Sequence, residues 1–144
     1  KELYKLCDFI TPNETEAELI TGIKVDSEAS ANSAAKKFEE LGVKNVIITL
    51  GEKGAYFHNS QYSKLLPPFR AREVLETTGA GDAFNGGLAA ALSRGETYLD
   101  SAIIGCATAS ISVTRYGTSE SMPNLNEVRG LINSEKIYKH KKPG

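Results

Sequence analysis

The sequence predicts an α/β layered domain, and three features predict it. Strand-like runs alternate with helical patterns. The run NVIITL at residues 45–50 has the continuous β-branched character of a strand buried on both faces. Helical patterns open on Asn or Ser and close on Gly, as capped helices do.

Residues 7–11 form the first predicted strand and run into Pro12, after which Asn13 can cap a helix over residues 14–21 that stops at Gly22. Ser27 can cap a second helix, in which Ala31, Ala34, Ala35, Phe38 and Leu41 recur at helical spacing until Gly42. After the strand at 45–50, Gly51-Glu52-Lys53-Gly54 turns into a third strand at 55–58. Residues 62–75 are extended and broken by Pro67-Pro68, which predicts one irregular edge strand.

Residues 79–92 place Ala80, Ala83, Phe84, Leu88, Ala91 and Leu92 on one side of a helix, with Gly95 just past its end. A second long helix, about 99–114, is rich in Ala, Ser, Gly and Cys, so another element can approach its axis closely. A short helix near 125–132 follows, and the lysine-rich tail at 136–144 is expected to fray.

A chain of 144 residues, 40% apolar and 24% charged, is ordinary for a folded domain. Its 17 basic and 18 acidic residues leave a net charge of −1, so no basic field draws in nucleic acid or anionic lipid. The apolar runs fall far short of the roughly 18 residues that span a bilayer, and no signal-peptide pattern opens the chain. The expected location is cytoplasmic. Cys7 and Cys106 lack metal-ligand spacing and are expected as reduced thiols, Cys106 among small residues that read as core. With no initiating Met and a strand almost at once, the chain reads as the latter part of a longer one.

The chemistry concentrates in TTGAGDAFNGG, residues 77–87. Gly79 and Gly81 precede the predicted helix start, where free N–H groups and a partial positive charge suit an anion, most commonly a phosphate. Gly86 and Gly87 lie inside the helix at about 1 kcal/mol each relative to Ala, so they call for a packing or ligand reason. Asp82, in the first turn, has two readings. It can merely complement the helix dipole, worth about 0.3–1 kcal/mol. It can also accept a hydroxyl proton while neighbouring N–H groups hold the phosphoryl group under attack. No G-x-x-x-x-G-K-[ST] occurs, and GAGDAF does not fit G-x-G-x-x-G because position 84 is Phe, which disfavours P-loop and dinucleotide-binding readings.

TTGAGDAFNGG resembles the C-terminal signature of the ribokinase-like (PfkB-type) sugar kinases. ITPNETEAELITG (10–22) resembles that family's N-x-x-E segment, VIITLGEKGAYF (46–57) its nucleotide strand, and VTRYGTSESMP (113–123) the loop after the long helix. Four matches in the family's order are far more specific than one. The resemblance implies a ribokinase-like layered (Rossmann-like) fold, represented here by its C-terminal portion, without the N-terminal sugar-site half and β lid. It implies residues 1–144 as the ATP-binding part of a kinase domain that phosphorylates a sugar hydroxyl. The expected reaction turns ribose into ribose 5-phosphate with ATP; fructose, a deoxy-keto acid or a nucleoside remain open as acceptors.

By resemblance, Asp82 is the base that takes the sugar proton, and Gly79, Ala80 and Gly81 form the anion hole around the γ-phosphate. Asn13 and Glu16 order Mg²⁺ and phosphates through water, and Thr49, Gly51 and Gly54 form the ATP strand and turn. Each has a plainer explanation: Asn13 and Glu16 have capping-box spacing, and Gly51 and Gly54 suit a hairpin turn. Cys106 stands where relatives place Asn or His beside the adenine, although it reads as core. A monovalent cation, generally K⁺, is implied near Glu76, Thr78, Ser112, Arg115, Gly117 and Ser121, with Glu76 where Asp is usual. The competing expectation is a nucleotide-binding half-domain, inactive until a homodimer or a complementing N-terminal half completes it.

Overall fold

The computed structural model describes residues 2–69, 74–75, 77, 79–115 and 122–135. The chain divides into two compact units, Lys1–Leu66 and Pro67–Gly144.

The first unit opens with a 3-10 helix, Glu2–Leu6, that the sequence reading did not anticipate. Strand β1 is consequently shorter than the five residues expected, Phe9–Ile10. The Cys7 N–H is turned back to the Tyr4 carbonyl at 3.1 Å, and Pro12 has no N–H to continue the ladder. Helices α1, Glu14–Thr21, and α2, Glu28–Glu40, follow, each behind a complete capping box. Strand β2, Asn45–Thr49, passes through a 3-10 turn, Gly51–Lys53, into β3, Ala55–His58, and then β4, Ser63–Leu66. The sheet order is β1-β2-β3-β4, with β1 parallel to β2 and the two later pairings antiparallel.

Helix α2 supplies the core of this unit. Ala31, Ala34, Ala35 and Phe38 are fully buried and pack with Val46, Ile48 and Tyr56 of the sheet. Tyr4 from the opening 3-10 helix meets Phe38 edge-on at 6.4 Å between ring centres.

In the second unit, α3 spans Ala80–Ser93, α4 Tyr98–Ser112 and α5 Leu125–Ser134. Its described residues contain no strand, so among the described residues strand and helix alternate in the first unit. The glycines inside α3 have a packing cause. A Cβ on Gly87 would lie 2.4 Å from Thr108 Oγ1 and 3.3 Å from the Ile104 carbonyl. From the other side, a Cβ on Gly105 would lie 3.0 Å from the Phe84 ring. Helices α3 and α4 therefore meet almost backbone to backbone, as the small residues of α4 lead one to expect. Helix α5 buries Val128. Arg129 reaches Glu96 after α3 at 3.1 Å, and Arg94 holds the same carboxylate at 2.9 Å. No described helix is long and apolar enough to cross a membrane. The tail at 136–144 lies outside the described residues.

Candidate active site

Two groups of candidate residues are built separately, one in each unit. In the first, α1 starts where β1 and β2 end side by side, and the carboxyl ends of parallel strands are where α/β sheets bind ligands. The Thr49 N–H donates to the Pro12 carbonyl at 2.9 Å, and Asn13 and Thr49 form an isolated parallel bridge. One residue on, the Leu50 N–H donates to the Gly54 carbonyl at 2.9 Å, and the Gly54 N–H to the Gly51 carbonyl at 3.2 Å. The turn that links these carbonyls needs glycine at position 54, where φ 97 and ψ −134 suit no side chain. Asn13, Thr49, Gly51 and Gly54, 41 positions apart from first to last, are thus drawn to one end of the sheet.

Asn13 and Glu16 form the capping box that their spacing allows. Asn13 Oδ1 accepts the Glu16 N–H at 2.8 Å, and Glu16 Oε2 accepts the Asn13 N–H at 2.9 Å. The second carboxylate oxygen of Glu16 and the amide NH₂ of Asn13 have no partner among the described residues. Both side chains are exposed. A cap and an outward-facing oxygen coexist in the same residue.

In the second unit, Gly79 takes the left-handed conformation, φ 84, and is the N-cap of α3 with no side-chain acceptor to offer. The helix begins immediately after it, so Gly81, expected ahead of the helix, lies within its first turn beside Ala80 and Asp82. The Ala80 N–H donates to the Thr77 carbonyl at 3.2 Å and the Ala83 N–H to the Gly79 carbonyl at 2.9 Å. Between them, the N–H groups of Gly81 and Asp82 find no acceptor among the described residues. A Cβ on Gly81 would meet nothing within 4 Å. The Asp82 carboxylate is exposed and makes no ion pair or hydrogen bond among the described residues. Among the described residues, two donors without an acceptor at the positive end of a helix thus share a turn with a carboxylate that has no partner there.

The other sequence candidates differ in their surroundings. Cys106 sits on α4 with a small part of the residue exposed, yet its thiol is ringed by protein, and burial pushes it up to about 12. That is the core reading of this cysteine. Ser112 is buried at the end of α4. Arg115 is ion-paired through its guanidinium with Glu127, a contact the sequence reading missed. The same Glu127 caps α5 by accepting the Asn124 N–H at 3.2 Å. Its only signal in the sequence is the Asn124-x-x-Glu127 spacing. On α3, the Met122 methyl lies 3.1 Å from where a Cβ on Gly86 would stand. Glu76, Thr78, Gly117 and Ser121 lie outside the described residues. No group of three or more His, Cys, Asp or Glu able to hold a metal occurs among those described.

Residues 1–125 match the model of the pfkB family carbohydrate kinases. The chain belongs to that family. It is 43% identical over 126 residues to a ribokinase of Haemophilus influenzae, covering 88% of this chain and 41% of that protein. To a ribokinase of Staphylococcus aureus it is 41% identical over 128 residues, covering 88% and 42%. The ribokinase structure from Thermotoga maritima superposes with a TM-score of 0.81 at 41% identity, over 92% of this chain and 44% of that one. Arabidopsis thaliana ribokinase, solved with ribose and ATP, gives 0.83 at 33% identity, over 90% and 42%. This pfkB-family chain therefore has the ribokinase fold over a segment less than half the length of these relatives.

Proposed function

We propose that this chain supplies the nucleotide site and catalytic base of an ATP-dependent sugar kinase, with ribose as the acceptor and ribose 5-phosphate as the product. The observation that carries the reading is the first turn of α3, where the N–H groups of Gly81 and Asp82 and the Asp82 carboxylate, none with a partner among the described residues, lie together. Donors aimed at a phosphoryl oxygen stabilise the charge that builds during transfer, and the carboxylate orients the acceptor hydroxyl and takes its proton. Gly79 and Ala80 border the anion hole, the Ala80 N–H being held by the Thr77 carbonyl, and the open space at Gly81 admits the γ-phosphate close to the backbone. The relatives named ribokinase, one of them holding ribose and ATP, support the substrate pair.

Thr49, Gly51 and Gly54 belong to the same proposal as nucleotide residues, and Cys106 as the residue at the adenine position. Mg²⁺ keeps most of its waters and takes few carboxylates, which fits one outward Glu16 oxygen beside the Asn13 amide. When bound, the ion offsets charge on the phosphates. A K⁺ site by Glu76, Thr78, Ser112, Arg115, Gly117 and Ser121 belongs to the same proposal. A second reading, in which these 144 residues bind nucleotide without turnover until a second copy or an N-terminal half joins them, is favoured by the 41% span of the Haemophilus relative.

Asp82→Asn in the complete kinase is expected to lower turnover about 10²–10⁴-fold and to leave Mg-ATP affinity within a few-fold, measured by coupled assay and calorimetric titration. Turnover at the original rate would remove Asp82 from the role of base.

A further inference from the structure

Besides these residues, β3, β4 and α2 of the first unit bring together His58, Ser63 and Glu39. His58 and Ser63 stand directly opposite each other across the hairpin. Ser63 Oγ lies 2.6 Å from His58 Nδ1, and His58 Nε2 lies 2.8 Å from Glu39 Oε2. A carboxylate can only accept a hydrogen bond, so in the neutral imidazole Nε2 carries the proton and donates it to Glu39. Nδ1 is then bare and accepts the Ser63 O–H. The imidazole is 6% exposed and the Glu39 side chain 48% exposed. Ser63 itself is exposed and lies on an outer strand of the sheet. Tyr56, two positions before His58 on the same face, has its phenol pushed above the usual value, first by burial and then by the Glu28 carboxylate, with a Ser63 hydrogen bond opposing them.

A histidine satisfied only for packing would have both partners inside the core. Here Ser63 is an exposed residue and the Glu39 side chain is half exposed, with the buried imidazole between them. A nucleophile in hydrogen-bond reach of a base that a third group orients is the arrangement that activates a serine.

We propose that Ser63 is an activated nucleophile that accepts the acyl group of a small activated carboxylic ester, with His58 as its base and Glu39 holding the imidazole. Ser63 Oγ forms a bond to the acyl carbon while its proton passes to His58 Nδ1. The ester C–O bond breaks, and the leaving alcohol departs with that proton. Water then attacks the acyl-serine, gives a proton to the same nitrogen, and releases the carboxylic acid as Ser63 recovers its hydrogen. The reaction as written uses neither Asp82 nor nucleotide.

The test incubates the chain with p-nitrophenyl acetate, follows p-nitrophenolate release, and locates the acetyl group by peptide mass mapping. The expected result is acetyl on Ser63, its loss in Ser63→Ala, and a rate about a hundredfold lower in Glu39→Gln, with both variants checked for fold by circular dichroism. Acetylation confined to lysines, or Ser63 acetylated at the same rate in Glu39→Gln, would overturn the proposal. Should Glu39→Gln lose its fold, the pH profile of Ser63 acetylation in the unaltered chain decides. A rise that levels off once the imidazole is neutral supports the relay, and a rise that follows hydroxide without a plateau overturns it.

Discussion

In residues 1–66 the candidate nucleotide residues hang from a sheet, whereas in residues 67–144 the candidate base and anion hole sit at a helix end. Asn13 and Thr49 are aligned by a ladder contact, and shifting that register by one residue would turn every side chain of the strand to the other face. Asp82 has no such ladder. Its helix is located by α3 and α4 closing on Gly87 and Gly105. The first arrangement tolerates side-chain changes as long as the backbone pairs. The second depends on side chains being absent.

The largest expected effect is therefore at Gly87. Gly87→Ala places a Cβ against the branched Cβ and hydroxyl of Thr108 and close to a backbone carbonyl, so one of the helices has to move. Overpacking of this kind costs about 1–3 kcal/mol, to be read from urea unfolding. Adding Thr108→Gly should recover part of the loss, because it removes the atoms in collision. No recovery would mean that the glycine serves something other than this contact.

Alkaline pH should weaken the second unit through Cys106. Burial pushes its thiol up from an ordinary value of 9.0, that of the unfolded chain, to about 12 in the folded one. Between those values the folded state keeps a proton that the unfolded state has lost, so stability falls as pH rises, by at most about 1.4 kcal/mol per pH unit for this group. Below pH 9 the contribution is fully present. Cys106→Ala should flatten that part of the stability-against-pH curve, and an unchanged slope would show that the thiol is not the group responsible.

In the first unit the matching change is Asn13→Ala. It removes the Oδ1 acceptor of the α1 capping box and should cost about 1 kcal/mol, without disturbing the backbone bond from Thr49 to Pro12. If Asn13 also serves the phosphates, Mg-ATP affinity falls alongside. A lower melting temperature with unaltered affinity would leave it a cap alone.

Much of this arrangement is legible in the sequence wherever the signal is local. Asn13 with Glu16, Ser27 and Gly22 mark helix ends within a residue because a cap is satisfied by neighbours three or four positions away. The β-branched run at 45–50 declares its own burial. Gly86 and Gly87 announce a close contact but not its partners, which are Met122 and Thr108. The 3-10 helix at Glu2–Leu6 carries no periodicity to reveal it and shortens β1. His58, Ser63 and Glu39 become neighbours only through hairpin register and the seating of α2, and none of the three has a spacing that signals the others. Arg115 and Glu127 are hidden for the same reason. Local hydrogen bonding is written in adjacent residues, while contacts across the fold are set by geometry that no short window contains.

The smallest expected change in stability, and the sharpest contrast with Gly87, is at Gly81. A Cβ there meets nothing within 4 Å, and its φ lies outside the left-handed region. Gly81→Ala should be neutral or gain up to about 1 kcal/mol from lower backbone entropy in the unfolded chain. The same methyl would stand beside the N–H groups of the first turn of α3 that have no acceptor among the described residues, and keep a phosphate from closing on them. The expected signature is a melting temperature that holds or rises while Mg-ATP affinity falls, the reverse of a packing glycine. Gly81→Val should lower the affinity further, its branched Cβ adding bulk on the same side. If both variants bind Mg-ATP as tightly as the original chain, the glycine is there for neither packing nor phosphate, and the anion hole must lie at another turn.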